Sequence, residues 1–556
     1  MRLHAHRSAE AFLSALKSTR CAQYAIFDRS ATSAALLREV ANVSYRNSHS
    51  DLIAESSLRA RAEALLRDYF DVAARADPDA SFAYSSRVLL AVPDYPDVAL
   101  LFMLHGLAAH EPGATLHALI VDPWKAALVT FDLDGAGARP RFSPSTKRAL
   151  ARGARSFARR LFAKTSVASP DVLVFTIGDA LSGGGSDTYF GDLAACLRSR
   201  CKVATVYLAP GKTLRLVSNE MVAPLEAFLE PRDALGVYLA SKSDESADNS
   251  EVPVLTSYLR AREHASGEVV MLHVMAHAFE HMFSRLKPKV VLYPFENRTW
   301  EKRLLRAARR HGVTRCVGYQ HSSITPRHLA FSGGAGLGGL ADLPDAIITC
   351  GEVTAELVRA NIPQARSLVR AGAALRARRL QVPAPTGWGV LAPISSGRAE
   401  AWEILRVLHE YSRTSSEPII VRTHPTIPIA DLYSEYEWPV HVMLSSGRAL
   451  AEDFAATAIV LYSSATVALE GMLYGRLPIY LDIGDVPSGN PIPGEHRFVM
   501  QARTAADVAQ AIAEIMGRST DELARLREEA RAYAERYLVE PTPENIERMA
   551  DEIAPC

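Results

Sequence analysis

Two apolar, strand-like segments in the later half of the chain run directly into polar residues that can bind an anion. PIIVR, which ends at Arg422, is followed by His424, and TAIVLY is followed by Ser463 and Ser464 at the start of a helical segment. An imidazole or a guanidinium can donate to a phosphate oxygen, and hydroxyls and free amides at a helix N-terminus attract anions. This pattern predicts a phosphate site, and the alternative for the serines is simple helix capping.

The earlier half contains a second polar group, in YPFENRTWEKRLLRAARRHGVTRCVGYQHSS from Tyr293. The pattern predicts strand, loop, helix, strand and loop, so that two loops emerge at one edge of a sheet. Those loops carry Glu296, Asn297 and Arg298, followed by Gln320, His321 and Ser322.

Removal of a proton from a hydroxyl requires a positioned base, and both loops offer one. His321 is the first choice and Glu296 the second, with Asp187 or Asp192 on an earlier Gly-rich loop as further candidates. The alternative role for Glu296 is an ion pair with Arg298 that holds its loop.

The elements that must position these residues repeat as strand, loop, helix and strand from about residue 168 onwards. Such alternation is typical of parallel sheets with helices on both faces, in which ligands bind at the carboxyl ends of the strands. QVPAPTG at 381–387 interrupts the pattern as a linker does. We therefore predict an α/β chain with an N-terminal α/β or helical region at 1–165 and two Rossmann-like domains, at 166–380 and 386–540, that face a cleft.

Composition excludes several classes of protein. The 556 residues include 62 Lys plus Arg and 62 Asp plus Glu, so no overall field draws the chain to nucleic acid. The six scattered cysteines form no CxxC pair, and the start has no secretory signal pattern. No apolar run approaches the length of a membrane span. These features predict a cytoplasmic protein.

The later half resembles the donor-binding half of bacterial GT-B glycosyltransferases that use CMP-activated sugars, the sialyl- and Kdo-transferases with HP and Ser-Ser motifs. The resemblance rests on THP and on YSSATVALEGMLYGRLPIYL. It implies that His424, Ser463 and Ser464 hold the CMP moiety. We add Arg422, Thr466 and Glu470 to this nucleotide-sugar site; for Glu470 the alternative is a solvated helix carboxylate. Similar motifs occur in polyol-phosphate transferases that use CDP-linked donors.

The earlier half resembles bacterial surface-carbohydrate biosynthesis proteins, on its ENR-x-WE, YQHS, GSDTYFGDL and ITCGEVTAELVRANIP segments. The two resemblances together cover roughly residues 168–540. They imply transfer of a Kdo, sialic or other nonulosonic sugar to a glycan or lipid-linked acceptor of a capsule or lipopolysaccharide. They also imply catalysis by His321 or Glu296 and no metal or other cofactor, and we expect Asn297, Arg298, Gln320 and Ser322 to line the acceptor side of the cleft.

Three alternatives to a CMP-sugar transferase stay open at this point: a transferase that uses another nucleotide sugar or a CDP-polyol, a nucleotide-sugar epimerase, and a non-catalytic assembly protein. A basic stretch at 139–164 has no acidic residue and has apolar residues interspersed. It predicts either peripheral contact with the inner face of the membrane or a helix packed on the next domain. His273, His277 and His281 recur at helical spacing, and we expect a packed or acceptor-facing stripe there rather than zinc.

Overall fold

The computed structural model describes only part of the chain. The described ranges are 2–18, 23–26, 115–120, 122–134, 146–163, 167–177, 189–208, 221–245, 267–328, 342–377, 379–385, 387–394, 397–424, 429–484 and 488–553, with residues 101, 104, 140, 187, 219, 258, 261, 262, 265 and 331 between them.

The N-terminal region is a small α/β unit with a parallel sheet in the order β1-β3-β2. Its elements are β1 Arg2–His6, α1 Ala9–Ser18, β2 Gln23–Ile26, β3 Thr115–Leu119 and α2 Pro123–Asp134, and the helix α3 Thr146–Phe162 follows them in the chain. Phe12 and Leu16 of α1 belong to the same continuous apolar cluster as the core of the last domain. The same cluster also includes Cys350, Val353 and Ala374 of the middle part of the chain.

The middle of the chain forms a seven-stranded parallel sheet in the order β10-β9-β8-β7-β4-β5-β6. The strands are β4 Val172–Ile177, β5 Val203–Leu208, β6 Val222–Pro224, β7 Val290–Pro294, β8 Arg315–Gln320, β9 Ala346–Thr349 and β10 Val369–Ala371. The helices between them are α4 Asp192–Arg200, α5 Asp233–Glu245, α6 Glu268–Leu286, α7 Thr299–Arg310 and α8 Glu352–Asn361.

Strand β4 shows why these segments are continuous apolar runs. Val172 and Val174 face one apolar cluster, whereas Leu173 and Phe175 face another on the opposite side of the sheet. Because side chains alternate along a strand, a sheet covered by helices on both faces needs apolar residues at every position.

The last part of the chain forms a six-stranded parallel sheet in the order β13-β12-β11-β14-β15-β16. The strands are β11 Val390–Pro393, β12 Ile419–Arg422, β13 Val442–Ser445, β14 Ile459–Tyr462, β15 Leu477–Leu481 and β16 Met500–Ala502. The helices are α9 Arg398–Ser412, α10 Ala430–Ser434, α11 Leu450–Ala455, α12 Val467–Leu473, α13 Ala505–Met516, α14 Thr520–Tyr537 and α15 Pro543–Ile553. The prediction of an α/β chain with two Rossmann-like domains, the GT-B arrangement, is confirmed.

The chain returns from the second domain to the first through α14 and α15. Ser519 caps α14 by accepting the Glu522 N–H at 3.3 Å, as the capping-box sequence predicts. Beyond α14, Val539 bridges two first-domain segments: its N–H donates to the Cys350 carbonyl at 3.1 Å and its carbonyl accepts from Ala374 at 2.8 Å. Ile546, Met549 and Ile553 of α15 then complete the apolar cluster around α4. The C-terminal helices therefore join the two domains.

Candidate functional site

The loops after β7 and β8 bring His321 and Glu296 together. The two strands are adjacent and parallel, so the residues that follow them emerge side by side. His321 Nε2 lies 3.3 Å from a Glu296 carboxylate oxygen. The Tyr189 ring packs on the imidazole with 4.4 Å between ring centroids. The sequence prediction that these two loops meet at one sheet edge agrees with this geometry.

The imidazole of His321 is almost fully enclosed, with 5% of its side chain exposed. The Glu296 carboxylate is 3.3 Å from Nε2, and by strict hydrogen-bond geometry neither ring nitrogen has a partner within the described part of the chain. A buried polar atom without a partner costs about 1–3 kcal/mol. A hydroxyl group bound beside His321 would supply a partner for its imidazole.

Glu296 is held in its ionised form. Burial alone would raise the pKa of Glu296, but the positive charge of Arg298, helped by His321 and His328, outweighs burial and lowers it to about 2. Arg298 forms a direct ion pair with the Glu296 carboxylate. The loop-holding ion pair considered at the sequence level is thus present, and it coexists with the contact to His321.

Glu301 on α7 fixes the Glu296 loop, a role that sequence reasoning missed although Glu301 is part of the ENR-x-WE segment. Its buried carboxylate accepts the N–H groups of Glu296 at 2.9 Å, Asn297 at 3.0 Å and Arg298 at 3.0 Å. Asn297 has a φ of 56°, which is uncommon for a residue other than glycine, and its side chain accepts from buried Lys302. The loop is therefore preorganised, and Asn297 is one of its buried supports.

Asp187 has a supporting position rather than an open one. Its side chain is buried, and one carboxylate oxygen accepts the N–H of Tyr189 at 2.7 Å and that of Phe190 at 3.3 Å. Burial raises the pKa of Asp187 despite these bonds. Asp187 thus orients the Tyr189 ring that covers His321, while Asp192 lies in the first turn of α4.

Gln320 and Ser322 stabilise the His321 loop from within. Gln320 is fully buried, and its side-chain amide donates to the Ser322 carbonyl. The Gln320 carbonyl accepts from the Cys350 thiol at 3.1 Å. Gln320 was expected to line the cleft, but its burial places it behind the loop.

In the second domain, the predicted anion-binding residues also gather at one sheet edge. His424 follows β12, and Ser463 and Ser464 follow β14, on either side of β11. One expectation needs correction: the helix after β14 begins at Val467, with Thr466 as its N-cap and no side-chain capping bond, so the serines lie in the preceding turn and do not cap it. Four residues, 463–466, separate the end of β14 from the start of the helix.

Ser464 donates its hydroxyl to Glu400, a residue that the sequence analysis did not single out. The Ser464 Oγ lies 2.9 and 3.1 Å from the two carboxylate oxygens of Glu400, in the first turn of α9. Arg327, from the loop after β8, forms an ion pair with the same carboxylate at 3.4 Å. Because α9 lies 64 residues before Ser464 in sequence, no local signal indicates this contact.

Arg422 and Glu470 differ in their electrostatic surroundings. Arg422 is paired with buried Asp453 at 2.6 Å, so much of its charge is neutralised inside the domain. Burial raises the pKa of Glu470, opposed by the positive charges of Arg422 and Arg376. Burial also lowers the pKa of His424, which favours its neutral form.

The two sheet edges face each other and touch. Ser323 from the His321 loop and Thr466 from the Ser464 turn are hydrogen-bonded at 3.0 Å between their hydroxyl oxygens. The Arg327 N–H donates to the Ser488 carbonyl at 3.1 Å. His321, the candidate base, therefore lies two residues before Ser323, which contacts the candidate phosphate site directly.

The basic stretch and the histidine stripe face neighbouring helices. Within α3, Arg159 forms a buried ion pair with Glu226 at 2.9 Å and Arg160 donates to the Leu229 carbonyl at 2.8 Å, so these two arginines hold the helix to the first domain. The side chains of residues 141–150 lie outside the described residues. On α6, His281 lies 3.2 Å from buried Asp233.

No group of three or more His, Cys, Asp or Glu side chains in the described ranges is arranged to hold a metal ion. Among the helices that the structure describes, none combines the length and the apolar composition required to cross a membrane.

No protein family model matches the sequence, and no curated protein is significantly similar to it. Among solved structures, the chain is similar to the UDP-GlcNAc 2-epimerase of Neisseria meningitidis bound to UDP-GlcNAc, at 11% identity and a TM-score of 0.39 over 68% of this chain and 98% of that one. It is also similar to Acinetobacter baumannii MurG, at 12% identity and a TM-score of 0.38 over 69% and 98%. A glycosyltransferase from Rickettsia africae is similar at 14% identity and a TM-score of 0.38, over 69% of this chain and 98% of that one.

Proposed function

We propose that this protein is a glycosyltransferase that moves a sugar from a nucleotide donor to a hydroxyl group of a surface glycan or lipid-linked acceptor. The observation that carries the proposal is the hydrogen bond between Ser323 and Thr466. It joins the loop of a buried imidazole and carboxylate to the loop of a candidate phosphate site. Transfer from an activated phosphate needs both a base and a phosphate site within one cleft.

His321 is the better candidate for the base. A carboxylate with a pKa of about 2 is a weak base at neutral pH, which disfavours Glu296. Glu296 beside Nε2 instead favours the tautomer with its proton on that nitrogen, which leaves the lone pair on Nδ1. After His321 takes the proton of the acceptor hydroxyl, the ionised Glu296 stabilises the imidazolium at 3.3 Å.

The donor in this proposal is a CMP-activated sugar of the Kdo, sialic or other nonulosonic type. His424 and the turn at Ser463 and Ser464 supply hydrogen-bond donors for its phosphate. The preference for cytidine rests on the HP and Ser-Ser resemblance alone. The enzyme we propose needs no metal, and its acceptor belongs to a capsule or lipopolysaccharide.

A nucleotide panel tests the donor site. Thermal unfolding is measured with CMP, CDP, UDP, GDP and dTDP, and CMP or CDP should raise the unfolding temperature most, because a ligand that binds only the folded state stabilises it. His424→Ala should remove that increase. His441→Ala is the matched control, since His441 precedes β13 and lies at the opposite edge of the same sheet. Stabilisation by UDP alone would overturn the cytidine assignment, and stabilisation by none would overturn the donor site.

Turnover tests the reaction. Release of CMP from CMP-Kdo and CMP-nonulosonates is followed with and without glycan acceptors, and His321→Ala should lower the rate by roughly 10²–10⁴-fold while nucleotide stabilisation persists. A rearranged sugar nucleotide formed from donor alone would identify an epimerase instead. Nucleotide binding without turnover of any tested donor would favour a non-catalytic assembly protein.

A further inference from the structure

Arg376 lies at the carboxyl edge of the first sheet, in the loop that follows β10, and no sequence motif drew attention to it. Its side chain is exposed, and the guanidinium carbon lies 5.0 Å from the centre of the Tyr189 ring. This is a cation–π contact with the ring that also covers His321. Arg376 is thus placed beside the candidate base.

The backbone that carries Arg376 is held on several sides. The Tyr319 hydroxyl donates to the Ala373 carbonyl at 2.8 Å and accepts the Leu375 N–H at 2.9 Å. At Gly372, a Cβ would lie 2.4 Å from an Ile348 methyl group and 2.9 Å from the Thr349 carbonyl, so only glycine allows this close approach. The loop therefore presents its arginine from a fixed position, as a binding residue requires.

The arginines of the cleft differ in whether they form an ion pair. In the part of the chain that the structure describes, the other three arginines of the cleft are each paired with a carboxylate: Arg298 with Glu296, Arg327 with Glu400 and Arg422 with Asp453. No such ion pair holds Arg376 among the same described residues. Its positive charge is therefore available to an anion from outside the protein.

The field of Arg376 reaches both halves of the cleft. Its charge opposes the rise in the pKa of Tyr189 in the first domain and that of Glu470 in the second, each of which is raised by burial. Arg376 is therefore within electrostatic range of one residue in each domain, and its contact with Tyr189 places it beside His321.

We propose that Arg376 binds the phosphate of the donor nucleotide and stabilises that phosphate as it departs. The proposal rests on the proposed function. In the reaction, the bond between the anomeric carbon and the phosphate oxygen breaks with its electron pair on oxygen, the acceptor oxygen bonds to the anomeric carbon, and the acceptor proton passes to His321. The phosphate of CMP thereby gains one negative charge, so a nearby guanidinium stabilises the transition state more than the ground state.

The test compares a nucleotide with its own nucleoside. Binding of cytidine and of CMP to the full chain is measured by titration calorimetry for the wild type, Arg376→Ala, Arg376→Lys and the control Arg370→Ala. Arg370 is an exposed arginine of β10 whose guanidinium donates to the Ser367 carbonyl at 2.7 Å. Arg376→Ala should weaken CMP binding by about tenfold or more, as expected for a charge-assisted contact. Cytidine binding should not change, and Arg376→Lys should recover part of the loss.

The outcomes separate this proposal from the proposed function. If the wild type and Arg376→Ala bind CMP equally, Arg376 does not bind the phosphate although the donor site stands. Equal losses for CMP and cytidine would show damage to the whole pocket, which also overturns the proposal. If the wild type binds no nucleotide of the panel, the proposed function fails and this assignment fails with it. Should another nucleotide bind most tightly, that nucleotide and its nucleoside replace CMP and cytidine.

Discussion

At the scale of single residues, His328 is an internal pH sensor next to the candidate base. The Thr325 N–H donates to its Nδ1 at 3.0 Å, which assigns the ring proton of the neutral form to Nε2. Burial lowers the pKa of His328 to about 4 against the opposing charge of Glu296, and the positive charges of Arg327, Arg298 and His321 add to the decrease. The folded protein therefore keeps this imidazole neutral.

His328→Gln should make stability less dependent on pH between about 6.5 and 4. Because the pKa is lower in the folded than in the unfolded chain, the unfolded chain binds an extra proton in this window, and stability falls as pH falls. The effect is at most about 3 kcal/mol. Unfolding temperatures measured at pH 7.5, 6, 5 and 4.5 should decline more steeply in the wild type. Parallel declines would contradict the assignment, and loss of the Glu296 charge acts only below this window.

At the scale of elements, Arg476 links the second domain by hydrogen bonds to the connection that precedes it in the chain. Its buried guanidinium donates to the carbonyls of Phe454, Thr457, Tyr474 and Pro383, which lie at the ends of α11 and α12 and in the connection between the sheets. Burial lowers the pKa of Arg476 to about 10, so the group stays charged at neutral pH. One side chain thus donates to carbonyls at the ends of two helices and in the connection between the sheets.

Arg476→Met should lower the free energy of unfolding by about 3 kcal/mol or more, because several buried carbonyls lose their donor. The expected fall in unfolding temperature is about 6 °C or more, measured by calorimetry. Arg531→Met serves as the control, since among the described residues Arg531 forms a surface pair with Glu528 at 3.5 Å, a type of pair worth about 0–1 kcal/mol. Equal effects of the two changes would show that the carbonyl contacts contribute little.

The elements could largely be predicted from sequence, because a strand covered on both faces must be apolar throughout, as in VLVFTI of β4. The meeting of Glu296 and His321 followed from the same rule, since parallel neighbours end at one edge. The partner of Ser464 could not be predicted, because Glu400 reaches it only through tertiary packing. Arg376 could not be predicted, because it differs from the other arginines of the cleft only in that they form ion pairs with carboxylates. Those ion pairs depend on tertiary packing and leave no local pattern in the sequence.

At the scale of the whole molecule, the candidate donor site is coupled to the contact between the domains. The single hydroxyl proton of Ser464 is already donated to Glu400, whose carboxylate also pairs with Arg327 of the first domain. A phosphate oxygen can only accept, so a nucleotide must take that proton from Glu400 and approach its negative charge. Donor binding and the interdomain ion pair therefore compete.

Glu400→Gln should tighten CMP binding by roughly tenfold, equivalent to about 1.4 kcal/mol, because it removes the competing charge and releases Arg327. Binding is measured by titration calorimetry at fixed salt. Glu403→Gln is the matched control, on the same helix and paired with Arg406 at 3.0 Å, and it should leave binding unchanged. Weaker binding in Glu400→Gln would mean that Glu400 orients Ser464 for the ligand instead of competing with it.

The return of α15 to the first domain has a consequence for biosynthesis. The apolar surface of α4 is covered by Ile546, Met549 and Ile553, which a ribosome adds only after it has made the entire second domain. At ordinary elongation rates this delay is on the order of tens of seconds. During that time the newly made first domain exposes an apolar surface. A chaperone that binds nascent chains should therefore bind this surface before the second domain has emerged from the ribosome.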